Sequence, residues 1–145
     1  MRALLLGMVL ITVGCSRPDQ LSADKAWIRL PAAADRPAGA YFTLYGGPKD
    51  AQLIAVSSDV TVRGELHETA TGPGGMMTMR ALDRIPVPAG GEVVFRPGGK
   101  HVMLYGVPSA LKPHGRSVLL TFTFADGTRV QRRAEVYAAG EAAPE

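Results

Sequence analysis

Four of the six methionines fall between positions 76 and 103, and two of the three histidines, His67 and His101, bracket or lie within the same stretch. In an extended strand, residues two apart project to one face, so His101 and Met103 point together, as do Met77 and Met79. Two such strands brought beside His67 would form a small pocket of imidazole and thioether. Thioether sulfur is a soft, neutral donor that selects Cu(I) over harder divalent ions preferring nitrogen and oxygen. It needs no deprotonation and cannot form a disulfide, which suits an oxidising compartment. Imidazole binds metal only when neutral, so a two-histidine site loosens in acid near about pH 6. The same residues also admit a plainer reading: methionine is an ordinary core filler, and a strand with Met at alternate positions is commonly packed interior. Against it stand the glycine pairs Gly74-Gly75 and Gly98-Gly99 just ahead of the two Met-bearing runs, a composition that suits exposed loop ends.

Short strands separated by turn signals must position these side chains. Alternation of apolar and polar residues predicts strands over Lys25–Leu30, Gly39–Tyr45, Ala51–Ser57, Val60–His67, Met76–Ala81, Glu92–Phe95 and His101–Tyr105. The clearest hairpin follows: Val118, Leu120, Phe122 and Phe124 alternate with Leu119, Thr121 and Thr123, and Asp126-Gly127 turns the chain into Thr128–Tyr137. Arg132 stands among the inward positions Val130, Ala134 and Val136, which predicts a bulge or a sheet edge there. No long helical period occurs beyond the N-terminal apolar run, so the expected fold is an all-β Greek-key sandwich. Phe42, Leu44, Leu120, Phe122 and Phe124 are its candidate core. Trp27, Tyr41 and Tyr45 read as core or sheet-surface aromatics, and His114 as a solvated turn residue.

The chain has 145 residues, 17 Gly, 11 Pro and a formal charge of +3 without a basic run, which sets aside a nucleic-acid platform. One cysteine excludes an internal disulfide and any multi-thiolate zinc or iron–sulfur site within a monomer. That cysteine, Cys15, follows Arg2, an apolar run from Ala3 to Val13, and Gly14. The run is well short of the roughly 20 residues that span a bilayer, so it reads as an export signal. Thr12-Val13-Gly14-Cys15 is similar to a bacterial lipobox, with Thr12 where Leu is usual. The expected organisation is a signal peptide over 1–14, a lipidated Cys15 with a tether to residue 24, a β-sandwich over 25–137 and a flexible tail over 138–145. Ser16 is no inner-membrane retention signal of the Asp type. A periplasmic protein anchored by lipid, at the outer membrane in a Gram-negative host, is therefore expected.

The stretches LHETATGPGGMMTMRAL and IPVPAGGEVVFRPGGKHVMLYG resemble the periplasmic copper chaperones known as PCu(A)C proteins. The family motif is a His, about ten residues, a Met, twenty-one residues, and His-x-Met. Here Met79 to His101 encloses twenty-one residues, while His67 to Met79 encloses eleven, one more than the family form. AWIRLP, AGAYFTLYGG and LTFTFADGTRV extend the likeness over nearly all of the mature chain. The resemblance implies a cupredoxin-like sandwich and makes His67, Met79, His101 and Met103 the Cu(I) ligands, with Met77 as the alternative to Met79 and Met76 facing away. It is not a blue-copper electron carrier, whose site needs a Cys thiolate.

The resemblance further implies a copper chaperone without catalytic turnover. Its client would be the copper-accepting subunit of a haem–copper oxidase, with cytochrome c oxidase assembly as the setting. A thioredoxin-like copper assembly protein is the expected co-partner, and the carrier itself is expected to be a monomer. Copper sequestration or resistance is the alternative, and a structural lipid-anchored sandwich without metal the third. No Ser/His/acid set or paired-carboxylate signature stands out to favour an enzyme.

Overall fold

The computed structural model describes residues 20–142 and 144; the expected signal peptide over 1–14 and Cys15 lie outside the described residues. Ten strands follow in chain order: β1 Ser22–Arg29, β2 Ala38–Tyr45, β3 Ala51–Ser58, β4 Arg63–Thr71, β5 Met77–Ala81, β6 Ile85–Val87, β7 Glu92–Phe95, β8 Lys100–Tyr105, β9 Val118–Phe124 and β10 Arg129–Tyr137. A single 3-10 turn, Pro73–Gly75, joins β4 to β5. Hydrogen bonding runs in the order β5-β4-β8-β2-β1-β10-β9-β3-β6, with β7 added beside β2. The path folds into a sandwich in which β10 serves both layers, parallel to β1 on one side and antiparallel to β9 on the other.

The layers meet through the inward residues of each strand. In β9 the period of two is complete, Val118, Leu120, Phe122 and Phe124 being buried between half-exposed neighbours. Phe42 of β2 stacks on Phe95 of β7 with ring centroids 4.1 Å apart and meets Phe122 of β9 edge-on at 4.6 Å, which ties one layer to the other. Each such side chain contributes about 1.5–3 kcal/mol on burial. In β3 the register slips between Leu53 and Ala55. That extra residue brings both Leu53 and Val56 into the core, although they are three apart.

Three sequence readings are corrected. The strand expected over Val60–His67 begins later and runs on to Thr71, because Ser58 Oγ accepts from the backbone N–H groups of Val60 and Thr61 and holds a turn there. His67 is therefore at the middle of its strand. The short β6 was not expected; its Pro86 is tolerated because β6 lies at the sheet edge, and Ile85 and Val87 are buried. At Arg132 the pairing of β10 with β9 is unbroken and β10 is internal to the sheet. The irregularity lies in the neighbouring β1, between Asp24 and Trp27, where Lys25 has φ 50°. Arg132 reaches across to Asp24 at 2.6 Å and keeps its charge at the surface.

After β10 the chain turns, and Glu141 takes the backbone N–H of Ala138 and His114 Nε2, both at 2.6 Å. His114 stands exposed in the turn where the sequence places it, with φ 52°.

Candidate metal centre

Three adjacent strands carry the residues singled out by type and spacing. On β8, Val102 and Leu104 are fully buried in the core, so His101 and Met103 point to the outer face of the sheet. On β4, Leu66 is buried and Glu65, His67 and Thr69 share the outer face. The register places His67 directly opposite His101, Glu65 opposite Met103, and Thr69 opposite Met79 of β5. Cross-strand partners share a face and lie about 4.5–5.5 Å apart at Cβ, so register alone gathers two imidazoles and two thioethers on one side of the sheet.

The imidazole rings of His67 and His101 lie near parallel, tilted by 24° with centroids 5.9 Å apart. His101 is 5% exposed even though it faces outward, because His67 covers one flank. Beyond it, a hollow of about 310 Å³ is lined by Met79, His101, Met103, Thr69, Tyr41 and Arg29, among others. Gly39 is the β2 partner of Met103, and the Tyr41 hydroxyl lies 2.6 Å from where a side-chain carbon at Gly39 would stand. Tyr41 in turn packs on Trp27 at 4.4 Å, and burial pushes its phenol up from the usual 10.0. Arg29 sits over the Trp27 ring at 4.9 Å and donates to the Glu141 carbonyl.

Met77 and Met76 differ from Met79. Met77 is opposite Thr71, whose hydroxyl donates to its sulfur at 3.7 Å, and it does not line the hollow. Met76 precedes β5 and is 70% exposed. A larger hollow of about 410 Å³ is lined in part by Trp27 and has no His, Met or Cys in its wall. Among the described residues no group of three or more His, Cys, Asp or Glu could hold a metal ion. The thioethers of Met79 and Met103 share the face of the histidine pair, and sulfur of this kind suits a soft monovalent ion.

Sequence reasoning did not single out Glu65, Tyr41, Gly39 or Arg29 as parts of this site. The signal for Glu65 was available, since it stands two residues before His67 on the same strand face. His67 Nε2 is 3.2 Å from Glu65 Oε2, and that hydrogen bond, helped by Arg63 and Tyr105, holds the Glu65 carboxyl below its usual 4.5. The opposite face of these strands carries a second tie: Glu68 of β4 binds Arg80 of β5 at 2.7 Å and Lys100 of β8 at 3.1 Å.

The family description "Putative lipoprotein LpqE-like" matches residues 21–136, which is all of the sandwich but the last residue of β10. The chain belongs to this LpqE-like, PCuAC-type family. A protein of Leifsonia xyli subsp. xyli, whose description opens with the same two words, is 30% identical over 111 residues, which are 76% of this chain. The match spans 65% of that relative's length, less than two thirds. Among solved structures, the copper-bound PCuAC domain from PmoF2 superposes with a TM-score of 0.66 at 25% identity, covering 90% of this chain and 99% of that one. The solution structure of Cu(I)-bound DR1885 from Deinococcus radiodurans gives a TM-score of 0.63 at 26% identity, with 86% and 81% covered. Both of these PCuAC-type relatives hold copper in their structures.

Proposed function

We propose that this chain is an extracytoplasmic copper chaperone that holds one Cu(I) ion as cargo through His67, Met79, His101 and Met103 and hands it on without catalytic turnover. The observation that carries the reading is the cross-strand pair His67–His101 on the outer face of the sheet, with Met79 and Met103 on the same face. The copper in the PmoF2 domain supports the metal, and the Cu(I) in DR1885 supports its oxidation state. Two imidazoles and two thioethers add no charge of their own, so they bind a soft monovalent ion without the electrostatic demand of a harder divalent one.

The placement of the ligands supports delivery. They lie on the outer face of the sheet, and Met79 is exposed, so an acceptor could reach that thioether first and exchange the ligands one at a time. The resemblance to PCu(A)C proteins favours the copper centre of a haem–copper oxidase as acceptor, with a thioredoxin-like assembly protein as co-partner. A lipid on Cys15 would tether the carrier to the membrane that houses such a client, on the periplasmic side. Replacing Cys15 by Ser should release the protein from membranes or block its processing.

The deciding experiment is a Cu(I) titration against a competing chelator. One tight site per chain is expected, and the double variant His101→Ala, Met103→Ala should lose it while remaining folded. Unchanged affinity would sink the site. Mixing the Cu(I)-loaded protein with an apo copper-centre domain of a respiratory oxidase, followed by NMR of both, tests delivery. Retention of copper despite a favourable affinity difference would replace delivery with sequestration.

A further inference from the structure

The two histidines of the pair are held by different nitrogens. His101 Nδ1 donates to the Gly99 carbonyl at 2.9 Å, which leaves Nε2 with the free lone pair. His67 is held the other way round: Nε2 faces Glu65 Oε2 at 3.2 Å, and Nδ1 is buried without a hydrogen-bond partner. Buried polar atoms are almost always paired, so an orphaned ring nitrogen on the histidine that stands opposite His101 marks a place where something else binds.

We infer that Glu65 is a positioning residue that fixes His67 as the Nε2–H tautomer, so that His67 offers Nδ1 to the cargo ion while His101 offers Nε2. The inference rests on the copper site proposed above. Glu65 is suited to the task because its other oxygen is also engaged: Arg63 Nε holds Glu65 Oε1 at 3.0 Å, which leaves Oε2 for the imidazole. Residues 63, 65 and 67 share one strand face, so the relay Arg63–Glu65–His67 is a direct product of the period of two. A carboxylate on the distal nitrogen limits ring rotation and makes the imidazole a stronger donor, as outer partners of ligating histidines generally do.

The test uses the full chain labelled with 15N-histidine. In the copper-free protein, long-range proton–nitrogen correlations should show His67 protonated at Nε2, and Cu(I) should shift Nδ1 while the Nε2 proton stays. Glu65→Ala should abolish the tautomer preference and weaken Cu(I) binding about tenfold, the lower end of the range for loss of such a partner. Glu65→Gln keeps an acceptor and should keep the tautomer, with a smaller loss. A His67 protonated at Nδ1 in the copper-free protein, or a Glu65→Ala variant with tautomer and affinity unchanged, overturns the inference. Copper on Nε2 of His67 overturns it equally. If the wild-type protein takes up no Cu(I), the copper reading fails, and the copper-free tautomer still decides whether Glu65 positions the ring.

Discussion

Met79 and Met77 are the same residue type on the same face of β5, and their surroundings separate them. Met79 shares a hollow with His101 and Met103, whereas Met77 stands beside Thr71. Leucine conserves most of the volume of methionine and removes the sulfur. Met79→Leu should therefore weaken Cu(I) binding at least about tenfold, or ~1.4 kcal/mol, while Met77→Leu stays within about twofold. Equal losses in a chelator competition would show that either sulfur can serve. Gly39 offers a second test at this scale, since any side chain there meets the Tyr41 ring. Gly39→Ala should displace Tyr41 from Trp27 at a cost of about 1–3 kcal/mol. Trp27 is the only tryptophan, so its fluorescence reports the displacement directly.

At the scale of strands, β4 matters most, because its placement sets where His67 stands. Gly64 lets β4 pass close to β3: a side-chain carbon there would lie 2.1 Å from the Val56 carbonyl oxygen. Gly64→Ala should destabilise the fold by about 1–3 kcal/mol. Chemical denaturation measures that, and a normal midpoint would show that β3 yields without strain. The ease of reading each element from sequence follows its packing. The β9–β10 hairpin was readable because one face is fully buried and the Asp126-Gly127 turn marks its end. β6 was not, because three residues around a proline carry no period. β4 was placed too early, because its start is set by the Ser58 turn and its end by pairing with β5. The candidate site shows the same division. His101 and Met103 share a face by local spacing, while the partnership of His67 with His101 depends on the register of two residues 34 apart in sequence. Turns and bulges along the way fix that register, and no local window contains them.

For the whole molecule, the charge pattern predicts an acid limit. The carboxyls of Glu65, Glu68 and Glu141 are held below 4.5, and that of Asp126 below 3.8, each chiefly by a hydrogen bond: from His67, from Arg80, from the Ala138 backbone and from the Thr128 backbone respectively. A carboxyl lowered on folding adds stability that is complete above its unfolded value and lost as pH falls through its folded one. Thermal stability should thus change little on these groups' account from pH 7 to about 5 and fall below pH ~4.5. Glu68→Gln should flatten that fall, and an unchanged slope would mean the ion pairs with Arg80 and Lys100 are inert in solution. Copper stands outside this balance. The buried core lies on the inner faces of the layers, and the proposed ligands lie on an outer face. Removing copper should leave the circular dichroism spectrum and the cooperative melt in place, while Cu(I) raises the melting temperature as any native-state ligand does. Unfolding on chelation would make the metal structural.

On the proposed copper site, the unequal anchoring of β5 and β8 would also set the timing of release. β8 is clasped between β4 and β2, and its His101 is buried; β5 is the open edge, bonded to β4 alone, with all five residues exposed. Edge strands open locally at a fraction of the cost of global unfolding. An ion shared between these strands would be gripped by one fixed jaw and one that breathes, so Met79 lets go first while His101 and Met103 still hold. The off-rate would then follow the opening of β5, and amide hydrogen exchange across 77–81 would run ahead of that across 100–105 by the margin that governs how fast cargo leaves.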